Sequence, residues 1–265
     1  MFTRQNEWGN LFAMKMHTTI LFGFLACVSA NAALLADFDG NDLTYETGFV
    51  RDDPNGNALV VSSGAFVLLN GAVGNNGNYI SFDATGTAGW QTASFSMDIF
   101  ASAVLADGFG INFLDTATHG TSGVVRAGTG VGNDAEERGR ISNSIGVGFR
   151  TFNETNATVN YNGEDSADER YVLPQDVSVP LTIDMTRNGD GTVNLSATLD
   201  GETVFDNYSL SGGPDDFRVQ IMGRTGGSAM TLAIDNINLT TAIPEPTSTL
   251  MSALGFLVLA ARRKR

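Results

Sequence analysis

The chain has 265 residues, 29 of them acidic and 15 basic, for a net charge of −14. Its two lysines, Lys15 and Lys264, lie at the two ends, so Ala33 to Pro246 holds nine arginines against 28 acidic residues and carries −19. Phosphate backbones are gripped through Lys and Arg, so this balance excludes nucleic acid and suits solubility, divalent cations or a salty medium.

The first element, MKMHTTILFGFLACVSANA from Met14 to Ala32, has the three parts of a secretory signal peptide. Lys15 supplies the positive region, Ile20 to Val28 the apolar region, and Ala30-Asn31-Ala32 the A-x-A cleavage site. Residues 1–32 are therefore expected to be removed by a cut after Ala32, with Met14 or Met16 as the true start. Nine apolar residues are too few to span a bilayer. The single cysteine, Cys27, lies inside this apolar region, and Phe24-Leu25-Ala26 is a poor match to a lipoprotein lead-in. Cleavage after Ala32 would leave no cysteine for disulfides or thiolate metal sites.

The next stretch, ALLADFDGNDL, reads as a first strand and turn. Its Asp37, Asp39 and Asp42 invite a calcium reading, but Gly40 comes too early for an EF-hand loop. Further on, SFSMDIF sets Phe95, Met97 and Ile99 on one face, the alternation of a half-buried strand. His119, in DTATHGTSG, is placed in a loop. The acidic clusters Glu136-Glu137 and Glu164-Asp165 with Asp168-Glu169 have no alternating apolar partners and read as solvated loops; a divalent cation on the second cluster is the alternative. VPLTIDMTR and TVNLSATL alternate again through Leu181, Ile183, Met185, Val193, Leu195, Ala197 and Leu199. Between them Asn188-Gly189-Asp190-Gly191 is a strong hairpin signal, followed by a second turn at Asp200-Gly201. Roughly a dozen such runs, without a helical stretch of ten residues, predict one all-β sandwich or jelly roll over 33–240.

Four of these stretches, in order, resemble the concanavalin A-like lectin/glucanase superfamily in its L-type, legume-lectin-like branch. ADGFGINFLD (106–115) is similar to the A-D-G-x-A-F strand, and NSIGVGFRTF (143–152) to the N-x-[IV]-x-V-E-F-D-T-[FW] strand. Residues 179–201 fit the back-sheet hairpin, and 217–239 the closing strands. The resemblance implies a concanavalin A-like jelly roll and a carbohydrate site in which Asp107 hydrogen-bonds sugar hydroxyls; a turn aspartate beside Gly108 is the other reading. It does not bring the family's metal site, because the ligand positions hold Gly148 and Arg150, and Glu154 stands where the family has asparagine. The first and last strands of the superfamily lie close, so Asp39 and Asp235 form a second candidate calcium site.

The same fold hosts glucanases, whose paired carboxylates come from E-x-D-x-x-E on one strand. That strand is missing here, and retaining hydrolysis needs two carboxyls about 5 Å apart. With His119 outside any G-x-S-x-G context, the reading is non-enzymatic, with a glycan hydrolase as the less favoured alternative.

The last element has three parts: Pro244-Glu245-Pro246, an apolar run from Leu250 to Ala261, and Arg262, Arg263, Lys264 and Arg265. Twelve helical residues reach about 18 Å, short of a hydrocarbon core of about 30 Å. The basic end would stay on the cytoplasmic side. This layout resembles the PEP-CTERM sorting signal, which implies exosortase processing near Pro244-Glu245-Pro246 and delivery to the surface or matrix of a Gram-negative bacterium; a short C-terminal anchor is the alternative. Together the readings give an exported protein that binds extracellular polysaccharide, or else a structural or adhesive matrix component.

Overall fold

Period-two alternation becomes strand throughout the body of the chain. The computed structural model describes residues 28–36, 38, 49–52, 60–71, 76–102, 107–126, 135–152, 155–226 and 228–244. Its strands open with β1 (Val28–Ala36), β2 (Phe49–Asp52), β3 (Val60–Ser62), β4 (Ala65–Asn70) and β5 (Asn76–Phe82). Next, β6 (Thr92–Ala101) and β7 (Gly108–Asp115) lead to two short helices, α1 (Thr116–His119) and α2 (Ala135–Arg138). The chain continues through β8 (Ser144–Arg150), β9 (Asn156–Tyr161), β10 (Glu164–Arg170) and β11 (Ser178–Arg187). It closes with β12 (Val193–Leu199), β13 (Glu202–Leu210), β14 (Phe217–Thr225) and β15 (Thr231–Pro244).

Two antiparallel sheets face each other. The back sheet has the order β13-β12-β11-β6-β15-β4-β3, with β1 beside β15; the front sheet has the order β10-β9-β8-β7-β14-β5-β2. The expected back-sheet hairpin forms with Ile183 opposite both Phe95 and Ala197, so the apolar faces of β6, β11 and β12 coincide. Its turn closes through Asn188 N to Thr192 O (2.8 Å) and Gly191 N to Asn188 O (3.0 Å), with Gly191 at φ 88°. That left-handed conformation is open to glycine at little cost.

The core lies between the sheets. From the front come Phe109, Ile111 and Phe113 of β7, Ile145, Val147 and Phe149 of β8, and Phe217, Val219 and Ile221 of β14, all buried. Phe113 links the layers, meeting Phe95 of the back sheet edge-on at 5.9 Å and Phe217 at 5.4 Å. Trp90 packs edge-on to Phe217 at 5.5 Å and donates from Nε1 to Pro214 O at 2.9 Å. Each fully buried side chain of this kind contributes about 1.5–3 kcal/mol, and edge-to-face geometry adds to it.

Two expectations need correction. Glu164–Arg170 is the edge strand β10 of the front sheet, not a loop. Its backbone pairs with β9 while its side chains stay mostly exposed, and an edge strand wet on both faces needs no apolar alternation. Its charges also oppose edge-to-edge association. Glu136-Glu137 lies in α2, and Glu137 is buried.

Phe113→Ala is expected to cost about 3–5 kcal/mol, seen as a lower urea midpoint at unchanged slope. Val172→Ala, at a residue 83% exposed, should stay within about 0.5 kcal/mol of wild type.

Candidate functional site

The outward face of the front sheet is built by alternation on three neighbouring strands. β7 presents Gly108, Gly110 and Asn112, β8 presents Gly146, Gly148 and Arg150, and β14 presents Arg218, Gln220, Met222 and Arg224. In the register Gly110 lies opposite Gly148 and Asn112 opposite Gly146. The glycines are there because backbone lies on them. A Cβ on Gly148 would run into the main chain of Glu137 and Arg138, and one on Gly146 into Gly139 O. The segment 136–139 thus rests flat on the sheet, and the buried polar side chains beneath hold it. Thr158 Oγ1 donates to Arg138 O at 3.2 Å, Asn160 Nδ2 donates to the same oxygen, and Ser144 Oγ donates to Ile141 O at 2.7 Å.

A second stretch, 116–126, covers the other half of this face. Gln220 pairs with Val125 like a strand neighbour, accepting from its N and donating to its O, both at 2.8 Å. Arg218, buried under α1, donates from Nε to Gly120 O at 2.9 Å, from Nη2 to His119 O at 3.2 Å, and from Nη1 to Ser81 Oγ. Burial depresses its pKa. His119 ends α1, and its Nε2 lies 2.7 Å from Ser142 O, which ties the two covering stretches together.

At the end where β7 begins, the cover reaches Asp107. Glu137, only 5% exposed, receives Arg224 Nη1 on Oε1 at 3.0 Å and has Arg150 Nε at 3.6 Å from Oε2. Arg224 Nε stands 4.0 Å from Asp107 Oδ2. Burial pushes the Glu137 carboxyl above its usual range, the Asp107 charge adds to the rise, and the two guanidiniums oppose it. Asp107 is raised by burial as well, against the pull of Arg224 and Arg150. Two acids and two arginines form a neutral quartet between sheet and cover.

Asp107 sits at φ 45°, in the turn before β7, and its carbonyl accepts from Thr151 N at 2.7 Å. Its carboxylate lies against Gly226, where a Cβ would collide with Oδ2. Phe152, the residue after Thr151, is 43% exposed. Asp107, Gly226 and Phe152 therefore lie at the same end of the front sheet, where β7 begins and β8 and β14 end. Sequence reasoning named Asp107 and missed Phe152 and Glu137. The signal for Phe152 was its phase: core residues of β8 are odd-numbered, so an aromatic at 152 falls on the outward side. The signal for Glu137 was indirect, in glycines at successive outward positions of two adjacent strands.

The positions where L-type lectins carry metal ligands do not fit a cation here. Gly148 offers no side chain, and Arg150 directs a guanidinium to Glu137. Among the described residues, no three His, Cys, Asp or Glu side chains gather as a metal site. Asp235 accepts from Phe38 N at 3.1 Å, while its expected partner Asp39 lies outside the described residues. Ala30 and Ala32 lie within β1, opposite Ala242 and Thr240 of β15, and Val28 faces Pro244. Glu245, Pro246, Arg262, Arg263, Lys264, Arg265 and the apolar run 250–261 lie outside the described residues. No helix among the described residues is long and apolar enough to cross a membrane.

Comparison with known proteins agrees at both levels. Residues 242–265 match the model of the PEP-CTERM protein-sorting motif. The fold matches lectin UEA-II complexed with galactose at 10% identity and a TM-score of 0.56, over 81% of this chain and 98% of that one. It also matches the carbohydrate recognition domain of Emp47p (14%, 0.54, 82% and 97%) and the Ca2+-bound exoplasmic/lumenal domain of VIP36 (10%, 0.54, 81% and 90%). No curated protein matches the sequence. The chain therefore has the concanavalin A-like sandwich of L-type lectins and carries a PEP-CTERM sorting motif.

Because Glu137 and Asp107 hold their protons more tightly folded than unfolded, the folded state binds extra protons just above the ordinary carboxylate range. Their contribution to stability is full below about pH 4 and is lost as pH rises through the raised values. The double variant Asp107→Asn/Glu137→Gln lacks this loss. Its unfolding free energy should fall less, or rise more, than wild type between about pH 4 and 7, measured by urea titration at each pH.

Proposed function

We propose that this is an exported, non-enzymatic glycan-binding protein, with its sugar site at the rim formed by Asp107, Phe152 and Gly226. The observation that supports it most is the Asp107 carboxylate, with the exposed Phe152 at the same end of the front sheet of a lectin-type sandwich. A pyranose has a hydroxyl edge and a less polar face. Ionised Asp107 can accept two hydroxyl hydrogen bonds, and the Phe152 ring supplies apolar contact. Gly226 lets the ligand-side backbone come close to the carboxylate. The quartet keeps Asp107 in place, with Arg224 and Glu137 doing positional work. Both carboxyls at this end are engaged by guanidiniums, an arrangement that suits recognition better than the acid and nucleophile roles of hydrolysis.

The sorting motif supports a route. Signal cleavage after Ala32 would leave Ala33 as the first residue, and exosortase would act near Pro244-Glu245-Pro246 to deliver the body to the surface or matrix of a Gram-negative bacterium. Loss of residues 28–32 is compatible with the sandwich, because β15 stays paired with β6 as far as Ala242, opposite Thr92. A matrix component without a ligand is the second reading, favoured by the cover that fills the outward face of the front sheet.

On a glycan array, Asp107→Ala should lose roughly 10- to 150-fold in affinity, the value of about 1.5–3 kcal/mol for a hydrogen bond to a charged group. Phe152→Ala should lose about tenfold, from about 1.4 kcal/mol of apolar contact. Binding should survive chelation by EDTA, and it should weaken on acidification above the usual carboxylate range, since Asp107 protonates early. Absence of any glycan signal would favour the ligand-free matrix reading, and release of reducing sugar would favour a hydrolase.

Intact-mass analysis of the surface-delivered protein should give a chain that begins at Ala33 and ends near the motif. A mass that includes Arg265 would rule out processing.

A further inference from the structure

The opposite pole of the sandwich carries a cleft of about 360 Å³ where β7 ends. Asp115 closes β7, Asn143 precedes β8, Tyr161 ends β9 with Asn162 just after it, and Arg187 ends β11. Asp215, from the loop before β14, completes the wall. The volume lies within the range of small-ligand sites, about 300–1,000 Å³. Along β7 the cleft is roughly 25 Å from Asp107.

The cleft is built rather than left over. Asn143 and Asn162 both have left-handed backbones, at φ 52° and 56°, and lock together: Asn143 N donates to Asn162 Oδ1 at 2.8 Å, and Asn162 N donates to Ser144 O at 2.9 Å. Asparagine is among the few side chains that tolerate this conformation. Gly212 and Gly213 let the adjoining loop press onto Tyr161 and Val193, where a Cβ on Gly213 would come within 2.7 Å of Val193. Pro214 is held from below by the Trp90 indole at 2.9 Å. With Asn162 Oδ1 occupied, its two amide hydrogens remain for a ligand, beside the Tyr161 hydroxyl and the Asn143 carboxamide.

The charges define the ligand class. Arg187 is neutralised by Asp215, whose side chain is 85% exposed at the mouth. Asp115 adds a second carboxylate to the wall, accepting from Ala117 N at 3.3 Å and Thr118 Oγ1 at 2.7 Å. A net negative wall in a body of charge −19 disfavours phosphates and uronates. Amide donors, amide acceptors and a phenol suit groups that both donate and accept, which are hydroxyls.

We infer that this cleft is a second saccharide site, for a neutral sugar residue, and that one copy of the protein joins two glycan chains through its two poles. The bridging role rests on the rim reading above, whereas the cleft as a site does not. The test is NMR titration of the full chain with mannohexaose, cellohexaose and maltohexaose, following backbone and asparagine side-chain amides. At least one sugar should shift Asp115, Asn143 and Asn162 as well as Asp107 and Thr151. In Tyr161→Phe/Asn162→Asp, which keeps the bond from Asn143 N, affinity at the cleft should drop at least tenfold while the rim shifts persist. Shifts confined to Asp107 and Thr151 would overturn the second site and keep the rim. Shifts confined to the cleft would keep the site and overturn both the rim reading and the bridging role. No shifts with any of the three sugars would overturn both sites.

Discussion

The contact on which the rest of this structure depends is backbone lying on backbone. Gly110, Gly146 and Gly148 strip the outward face of two central strands to its main chain, and the segment 136–139 rests on that floor. Any side chain there would lift the cover, withdraw Glu137 from Arg150 and Arg224, and release Asp107 from its neighbour Arg224. Glycine weakens a strand, and here that cost is offset by a second packed layer over the sheet. The covering layer brings its own hydrogen-bond partners, so Thr158, Arg218, Gln220 and the Asn160 amide nitrogen find acceptors or donors while buried.

The same layer explains how so acidic a body uses its few cations. Arg138 and Arg140 tie the cover to Asp165 on the edge strand, Arg150 and Arg224 grip Glu137, and Arg218 gathers carbonyls under α1. Each of these guanidiniums joins one layer or strand to another. A planar donor fork suits this better than an ammonium, which agrees with a body that has no lysine. Arg150 and Arg224 thus place two guanidiniums around one buried carboxylate, that of Glu137.

The sandwich was legible because half-buried strands print their period on the sequence. Ile183, Met185, Leu195 and Ala197 fell on the buried side as their alternation required. The covering layer left no such print. Its contacts are made by main-chain atoms and by polar side chains, and neither follows a hydrophobic period. Glu136-Glu137 looked solvated for that reason, and β10 looked like a loop because an edge strand wet on both faces has no pattern to show. Asp107 was visible through its likeness to a family strand, while its relation to Glu137, Arg224 and Gly226 joins residues far apart in sequence. The cleft at the other pole was unreadable for the same reason, since it is assembled from the ends of several separate strands.

The most direct measurement is carboxyl footprinting of the intact chain, using carbodiimide coupling to glycine ethyl ester and peptide mass spectrometry, with and without EDTA. Glu137 is expected to resist modification under both conditions while Glu164 and Glu169 react readily. Modification of Glu137 at the rate of Glu169 would contradict it, since the cover would then not be seated on its glycine floor.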